Sequence, residues 1–274
     1  MLRFTREYSQ TLGLHFSFCE VLMEKLLSLV RRCVEDYDMI APGDKVAVGV
    51  SGGKDSLVTL VTLAKLARFY PVPFTVEAIT LDMGHVDGGE SMDFSGVRRL
   101  CDELEVAYTV IPTEISHIVF DLRREKNPCS MCAKMRRGAL NNAALERGIH
   151  KVALGHHYDD AIETFFLSLI YEGRLSCFQP VTELDRTGIV LIRPLLYCGE
   201  NFIRHTAQRE GLPVVHNPCP ADGLTKRQEI KEYVYQMEGK YPGFKARVFG
   251  AMQRLPLPAW GPVEHRRRPL PEDM

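Results

Sequence analysis

Between residues 45 and 157, short apolar runs alternate with stretches of helical period, and that alternation limits the fold more than any other feature. "KVAVGV" (45–50) reads as a buried strand and leads into a helix from about Asp55 to Arg68. "FTVEAITLD" (74–82) is a second strand, a helix lies near 94–104, and "EVAYTVIP" (105–112) is a third strand. "CAKMRRGALNNAALERG" is helical and stops at Gly148, and "KVALGHH" (151–157) is a fourth strand. "DDAIETFFLSLIYEG" is a helix capped by Asp159 or Asp160 and ended by Gly173. Strands joined through crossover helices pair in parallel, so the expected class is α/β, a doubly wound and mostly parallel sheet. Beyond residue 180, "GIVLIRPL" is a further strand, and "GENFIRHTAQREG" and the stretch from "TKRQEI" onward are helical. The expected organisation is a helical segment over 1–40, the sheet domain over 41–195, a helical region over 196–255 and a proline-rich, mobile tail over 256–274.

Composition narrows the class further. The 274 residues are 45% hydrophobic and 25% charged, a globular balance. No run reaches the roughly 18 apolar residues of a membrane span. "LGLHFSFCEVLMEKLLSLV" is interrupted by His15, Glu20, Glu24 and Lys25, so it reads as an amphipathic helix of a cytoplasmic protein, not a signal peptide. Met23 is a natural start for a chain opening "MEKLLSLVRRCVEDYDMI", with residues 1–22 then a non-native extension. The net charge of −1 excludes a uniformly basic surface, yet residues 123–137 carry a local +5. Within it, Arg123, Arg124, Lys126, Lys134 and Arg137 suit a polyanionic partner or form a solvated surface cluster.

Ser51-Gly52-Gly53-Lys54-Asp55-Ser56 lies where the first strand passes into its helix. Successive backbone N–H groups at such a turn face an anion, glycine allows phosphate oxygens to approach, and the helix N-terminus adds partial positive charge. Lys54 suits neutralising a phosphate, and Asp55 and Ser56 suit capping the helix or holding a magnesium ion. The spacing is neither the P-loop nor Gly-x-Gly-x-x-Gly.

Eight cysteines in such a chain argue against a disulfide framework. Cys19, Cys33, Cys101, Cys177 and Cys198 sit in apolar or helical contexts, as small buried hydrophobes do. Cys129 and Cys132, in "PCSMC", and Cys219, in "HNPCPADG", are flanked by proline and loop-like. A thioredoxin-like redox pair would follow a first strand that is missing here. Structural zinc wants four ligands, with His216 as the available fourth, whereas three thiolates suit an iron–sulfur cluster with one open iron. On spacing alone both metals stay in play.

"SGGKDS" after an apolar strand resembles the pyrophosphatase loop (PP-loop) of the N-type ATP pyrophosphatases, enzymes of the adenine nucleotide α-hydrolase type. With "PCSMCAKMRRGAL", "LGHHYDDAIETFFL" and "NPCPADGLTKRQEI" following in order, the chain resembles the tRNA 2-thiocytidine synthetases over roughly residues 23–255. That resemblance implies ATP-dependent, iron–sulfur-dependent thiolation of cytidine 32 in a tRNA anticodon loop, through an adenylated base and with release of pyrophosphate and AMP. It implies ATP and Mg2+ held by Ser51 to Ser56, with Gly155 and Asp160 beside them. It also implies a [4Fe–4S] cluster on Cys129, Cys132 and Cys219, and catalytic roles for Asp55, Arg136 and Asp160. Asp82, ending the second strand, lies at the rim where ligands bind in such sheets and is a candidate for adenosine. Arg123, Arg124, Lys126, Lys134 and Arg137 would contact tRNA phosphates. A cysteine desulfurase as sulfur source and a homodimer are further implications. One departure is visible, since His216 stands where members often carry a second cysteine pair with Cys219. A persulfide on Cys198 or Cys219 is an alternative sulfur carrier. A different base, a lysidine-type or amidating enzyme, or a regulatory module without turnover are the competing functions.

Overall fold

The structure, a computed structural model, describes residues 18–84, 92–122, 128–215, 226–254 and 260. In chain order the elements are α1 (Phe18–Asp36), β1 (Lys45–Gly49), α2 (Lys54–Ala67), β2 (Thr75–Asp82), α3 (Ser95–Leu104), β3 (Ala107–Pro112), α4 (Pro128–Leu145) and β4 (Lys151–Ala153). Then follow α5 (Tyr158–Leu167), β5 (Val181–Leu184), β6 (Ile189–Ile192), α6 (Glu200–Arg209), α7 (Lys226–Lys240) and α8 (Phe244–Arg254). The six strands form one sheet in the order β3-β2-β1-β4-β6-β5. All pairs are parallel except β5 with β6, and Val46 faces Val76 on one side and Lys151 on the other. Strand order therefore reverses between β1 and β4, and in an open α/β sheet the crevice at that reversal, beyond the strand C-termini, is where ligands bind.

Alternation along β1 assigns the two faces. Val46 and Val48 join a large core with α1, α2, α3, α5 and α6, while Ala47 packs with Ile79, Val152, Leu191 and the α4 residues Leu140 and Ala144. Helix α2, "KDSLVTLVTLAKLA", is buried over Ser56–Ala64 and at Leu66 because helices cover it on top of the sheet. Its inward threonines remain satisfied: Thr59 Oγ1 donates to the Asp55 carbonyl at 2.8 Å and Thr62 Oγ1 to that of Val58 at 2.7 Å.

Three local expectations change. The fourth strand stops at Ala153, so that Leu154 still donates to the Ile192 carbonyl at 2.9 Å while Gly155 and His156 turn into the crevice. The cap of α5 is His157, not Asp159 or Asp160: its Nδ1 accepts from the Asp160 N–H, and Asp160 Oδ2 accepts from the His157 N–H at 3.0 Å. Asp159 is thereby free to cap the next helix, accepting from the Glu200 N–H at 2.7 Å while pairing with Lys245 at 2.6 Å. Trp260 departs from the mobile tail expected beyond 256, for it is buried at 1% exposure against Phe249 and Phe178. No helix among the described residues is long and apolar enough to cross a membrane.

Candidate active site

The loop after β1 is held from within. Ser56 Oγ accepts from the Ser51 N–H at 3.1 Å and donates to the Gly53 carbonyl at 2.8 Å, which folds the turn back onto the first turn of α2. Gly52 has φ +84°, and a Cβ there would lie 2.8 Å from the Val215 Cβ, so only glycine suits the position. The Gly52 carbonyl also accepts from the Val215 N–H at 2.9 Å. Gly155 brings the chain after β4 against the backbone of Asp55 and Ser56, where an added Cβ would sit 3.0 Å from both.

Between the loop, the strand ends and α4 lies a cavity of ≈ 450 Å³. Ser51, Gly53, Asp55, Ser56, Gly155, Arg136 and Arg137 line it. Ile79, Leu81, Leu140, Leu154 and Leu191 give it apolar sides, as pockets for small organic ligands have. Four of its buried side-chain atoms have no hydrogen-bond partner: Asp55 Oδ1, Asn141 Oδ1, His156 Nδ1 and Arg193 Nε. Buried polar atoms are satisfied as a rule, and a concentration of exceptions around one cavity marks where a ligand's own groups belong.

Lys54, Asp82 and Asp160 stand back from that wall. Lys54 Nζ lies 3.1 Å from Asp55 Oδ2 and 3.4 Å from Glu200. Burial would raise the Glu200 pKa, but the hydrogen bond from Lys231, 2.7 Å away, and the charges of Lys231 and Lys54 hold it down at about 2. Glu200 thus stays a carboxylate that anchors the loop lysine. Asp82 ends β2, and its Oδ1 accepts from the Gly84 N–H at 3.2 Å. Asp160 is reached through His157, whose Nε2 is 3.5 Å from Asp160 Oδ2 and 3.8 Å from Asp55 Oδ1. His156 lies against Phe178 with the rings tilted and their centroids 4.8 Å apart, and burial with the charge of Arg193 lowers its pKa to about 4, so it is neutral at pH 7.

The cysteines divide sharply. Cys129 is exposed and Cys132 half-buried in the first turn of α4, at i and i+3, one residue before the cavity-lining Ala133. Met131, Cys132 and Met135 pack beside Met83, Ile115 and Val119. Cys219 lies outside the described residues, as do Arg123, Arg124 and Lys126, while Lys134 is exposed on α4. The described chain on either side of Cys219 touches the loop site, with Val215 on Gly52 and Arg227 donating to Thr164 at 2.7 Å beside Asp160. Among the described residues no three His, Cys, Asp or Glu side chains form a metal-ligand cluster. Two thiols at helical i, i+3 spacing, neither in a disulfide, fit part of a thiolate-held metal centre. Cys198 is fully buried and its pKa is raised by burial, which makes it a poor sulfur carrier.

The sequence alone did not mark Asn141, Arg193 and Glu200 as site residues. The available signals were slight: a lone Arg closing the apolar run "GIVLIR", and an Asn within the apolar stretch of α4.

A glycine loop at the β1/β4 reversal, facing that cavity, defines a nucleotide-binding α/β domain. The PP-loop domain family matches residues 22–238, and the chain belongs to that family. Within it, the chain is 36% identical over 236 residues to the tRNA-cytidine(32) 2-sulfurtransferase of Teredinibacter turnerae, covering 85% of this chain and 77% of that protein. It is 35% identical over 236 residues to the protein of the same name from Pseudomonas putida, covering 85% of each. Among solved structures, the U34-tRNA thiolase NcsA from Methanococcus maripaludis with its [4Fe-4S] cluster matches with a TM-score of 0.69 and 26% identity, over 86% of this chain and 79% of that one.

Proposed function

We propose that this protein is an ATP-dependent tRNA sulfurtransferase that makes 2-thiocytidine at position 32 of the anticodon loop. The observation that carries the reading is a shared wall: the phosphate loop and the helix that begins with Cys129 and Cys132 border one cavity. The names of the sequence relatives and of the structural neighbour supply the substrate class.

The chain's own groups divide the work. The N–H groups of the loop and the α2 N-terminus grip the leaving pyrophosphate, and Lys54 neutralises it. Asp55 Oδ1, buried and without a hydrogen bond, fits a magnesium ion, which would screen the phosphates. Arg136 on the cavity wall offsets charge developing on the α-phosphate as the cytosine O2 attacks it. Asp160 fixes His157 through the reciprocal cap and so steadies Asp55. Cys129 and Cys132, with Cys219, would hold a [4Fe–4S] cluster, and such a cluster with one iron open supplies a soft site for sulfide when bound. Lys134 and Arg137, with Arg123, Arg124 and Lys126, meet tRNA phosphates, so binding weakens as salt rises. Sulfur from a cysteine desulfurase, a homodimeric state and a cytoplasmic location complete the proposal, in line with the resemblance of the motifs.

The test is mass spectrometry of tRNA nucleosides from a deletion strain, paired with iron and sulfide assays of anaerobically purified protein. Loss of 2-thiocytidine and a cluster that vanishes in Cys129→Ala support the proposal. Unchanged 2-thiocytidine, or zinc in place of iron, refutes it.

A further inference from the structure

Arg193 follows the last residue of β6 and is 5% exposed, yet no carboxylate among the described residues pairs with it. Its Nη1 donates to the Gln179 carbonyl and to Thr182 Oγ1, the latter at 3.0 Å, and the guanidinium lies over the Phe178 ring at 5.0 Å from its centroid. These contacts fasten one edge and one face of the group to the β5 side. The Nε edge has no partner and the residue lines the cavity. A buried cation without a counter-ion is costly, and hydrogen bonds to neutral carbonyls and hydroxyls do not cancel its charge.

Its surroundings add to the imbalance. Arg136 and Arg137 line the same cavity, against Asp55 as the single carboxylate on the wall. Burial, with the nearby charge of Arg137, lowers the Arg193 pKa to about 10, which leaves it protonated at neutral pH. His156 beside it is neutral and holds a second unpartnered atom, Nδ1, toward the same space. A purely structural arginine would be expected to spend its donors inside the fold. This one keeps a donor for a negatively charged oxygen that the chain itself does not provide.

We infer that Arg193 binds the α-phosphate of the nucleotide, across the cavity from the loop that grips the pyrophosphate. The assignment rests on the nucleotide reading of the cavity given above. It gives the adenylyl group an anchor of its own: once pyrophosphate has left the loop, Arg193 still holds the phosphate of the adenylated base in place. His156 then positions that phosphate's ester by a neutral hydrogen bond.

The experiment is calorimetric titration of the full chain with AMP, adenosine and pyrophosphate, for wild type, Arg193→Lys and Arg193→Gln. Loss of a charged hydrogen bond predicts AMP binding about ten- to a hundredfold weaker in Arg193→Gln, partly restored in Arg193→Lys. Adenosine and pyrophosphate should bind all three proteins alike. Unchanged AMP affinity overturns the assignment, and so does a parallel loss for adenosine, which would mean that Arg193 only shapes the cavity. Weaker tRNA binding with AMP intact overturns it too, and moves the anion to the RNA backbone. Should Arg193→Gln fail to fold, Arg193→Lys decides, since AMP affinity equal to wild type with adenosine unchanged overturns the assignment, and parity of AMP with adenosine in wild type sinks it as well. A wild type that binds neither AMP nor ATP removes the nucleotide reading itself, and Arg193's role with it.

Discussion

The two faces of the central sheet are built for opposite ends. One is sealed: Leu57, Leu60, Leu63 and Leu66 of α2 are fully buried between the strands and the outer helices. The other carries α4, which buries only Leu140, Asn141, Ala143 and Ala144 of its 18 residues and leaves a cavity beside them. On the sealed face the buried threonines find carbonyls, with Trp260 Nε1 as an exception there. Around the cavity Asp55, Asn141, His156 and Arg193 keep atoms without partners. Each such atom costs about 1–3 kcal/mol in the free protein. The sealed face therefore has to supply the stability that the binding face gives up, and substitutions on the two should separate activity from folding.

The largest effect belongs to the loop end of the cavity. Asp55→Asn should slow thiolation by about a thousandfold, the upper range for removing one preorganised electrostatic group. Its melting temperature should stay near that of wild type. A large loss of melting temperature would show that the loop carries structure as well as chemistry, and would break the contrast. Next comes the sealed face: Leu60→Ala should cost about 2–5 kcal/mol in denaturant unfolding. Leu140→Ala, whose site borders the cavity and packs over Gly49, should cost clearly less. Equal losses would mean that the two faces are packed alike.

The smallest effect concerns a charge buried among helices of the sealed side. Glu163 is 5% exposed, and burial together with the charge of Asp160 raises its pKa from 4.5 to about 7, against the weaker pull of Arg227 and Lys231. The folded state thus keeps a proton that the unfolded chain releases near pH 4.5. Its contribution is complete below pH 4.5 and is lost as the pH rises through about 7. Glu163→Gln should raise stability at pH 8 by on the order of 1 kcal/mol and flatten the melting-temperature profile between pH 4.5 and 7. A profile identical to wild type would place the titration elsewhere.

How much of this was legible in the sequence follows the same division. Strand β1 and helix α2 could be read because burial on both sides leaves nearly continuous apolar runs, β2 and the edge strand β3 because β-branched and apolar residues dominate them, and the glycine loop because backbone approach leaves no alternative residue at Gly52. Strand β5 escaped because it is only four residues long, and "VTEL" carries too little apolar character to stand out. The His157 cap escaped because histidine is a rare capping residue, and two aspartates beside it fit the rule better. Arg193 and Asn141 escaped for a deeper reason. A polar side chain in an apolar run shows its purpose only when the fold reveals whether something inside the protein pairs with it.

The protein has a single tryptophan. Trp260 lies 5.7 Å from the Phe249 ring and 6.4 Å from that of Phe178, and Phe178 is the ring on which both His156 and Arg193 rest. The chain therefore carries an intrinsic fluorophore one aromatic contact from the cavity. Its emission should respond to nucleotide without any label, so occupancy can be followed in real time by light alone.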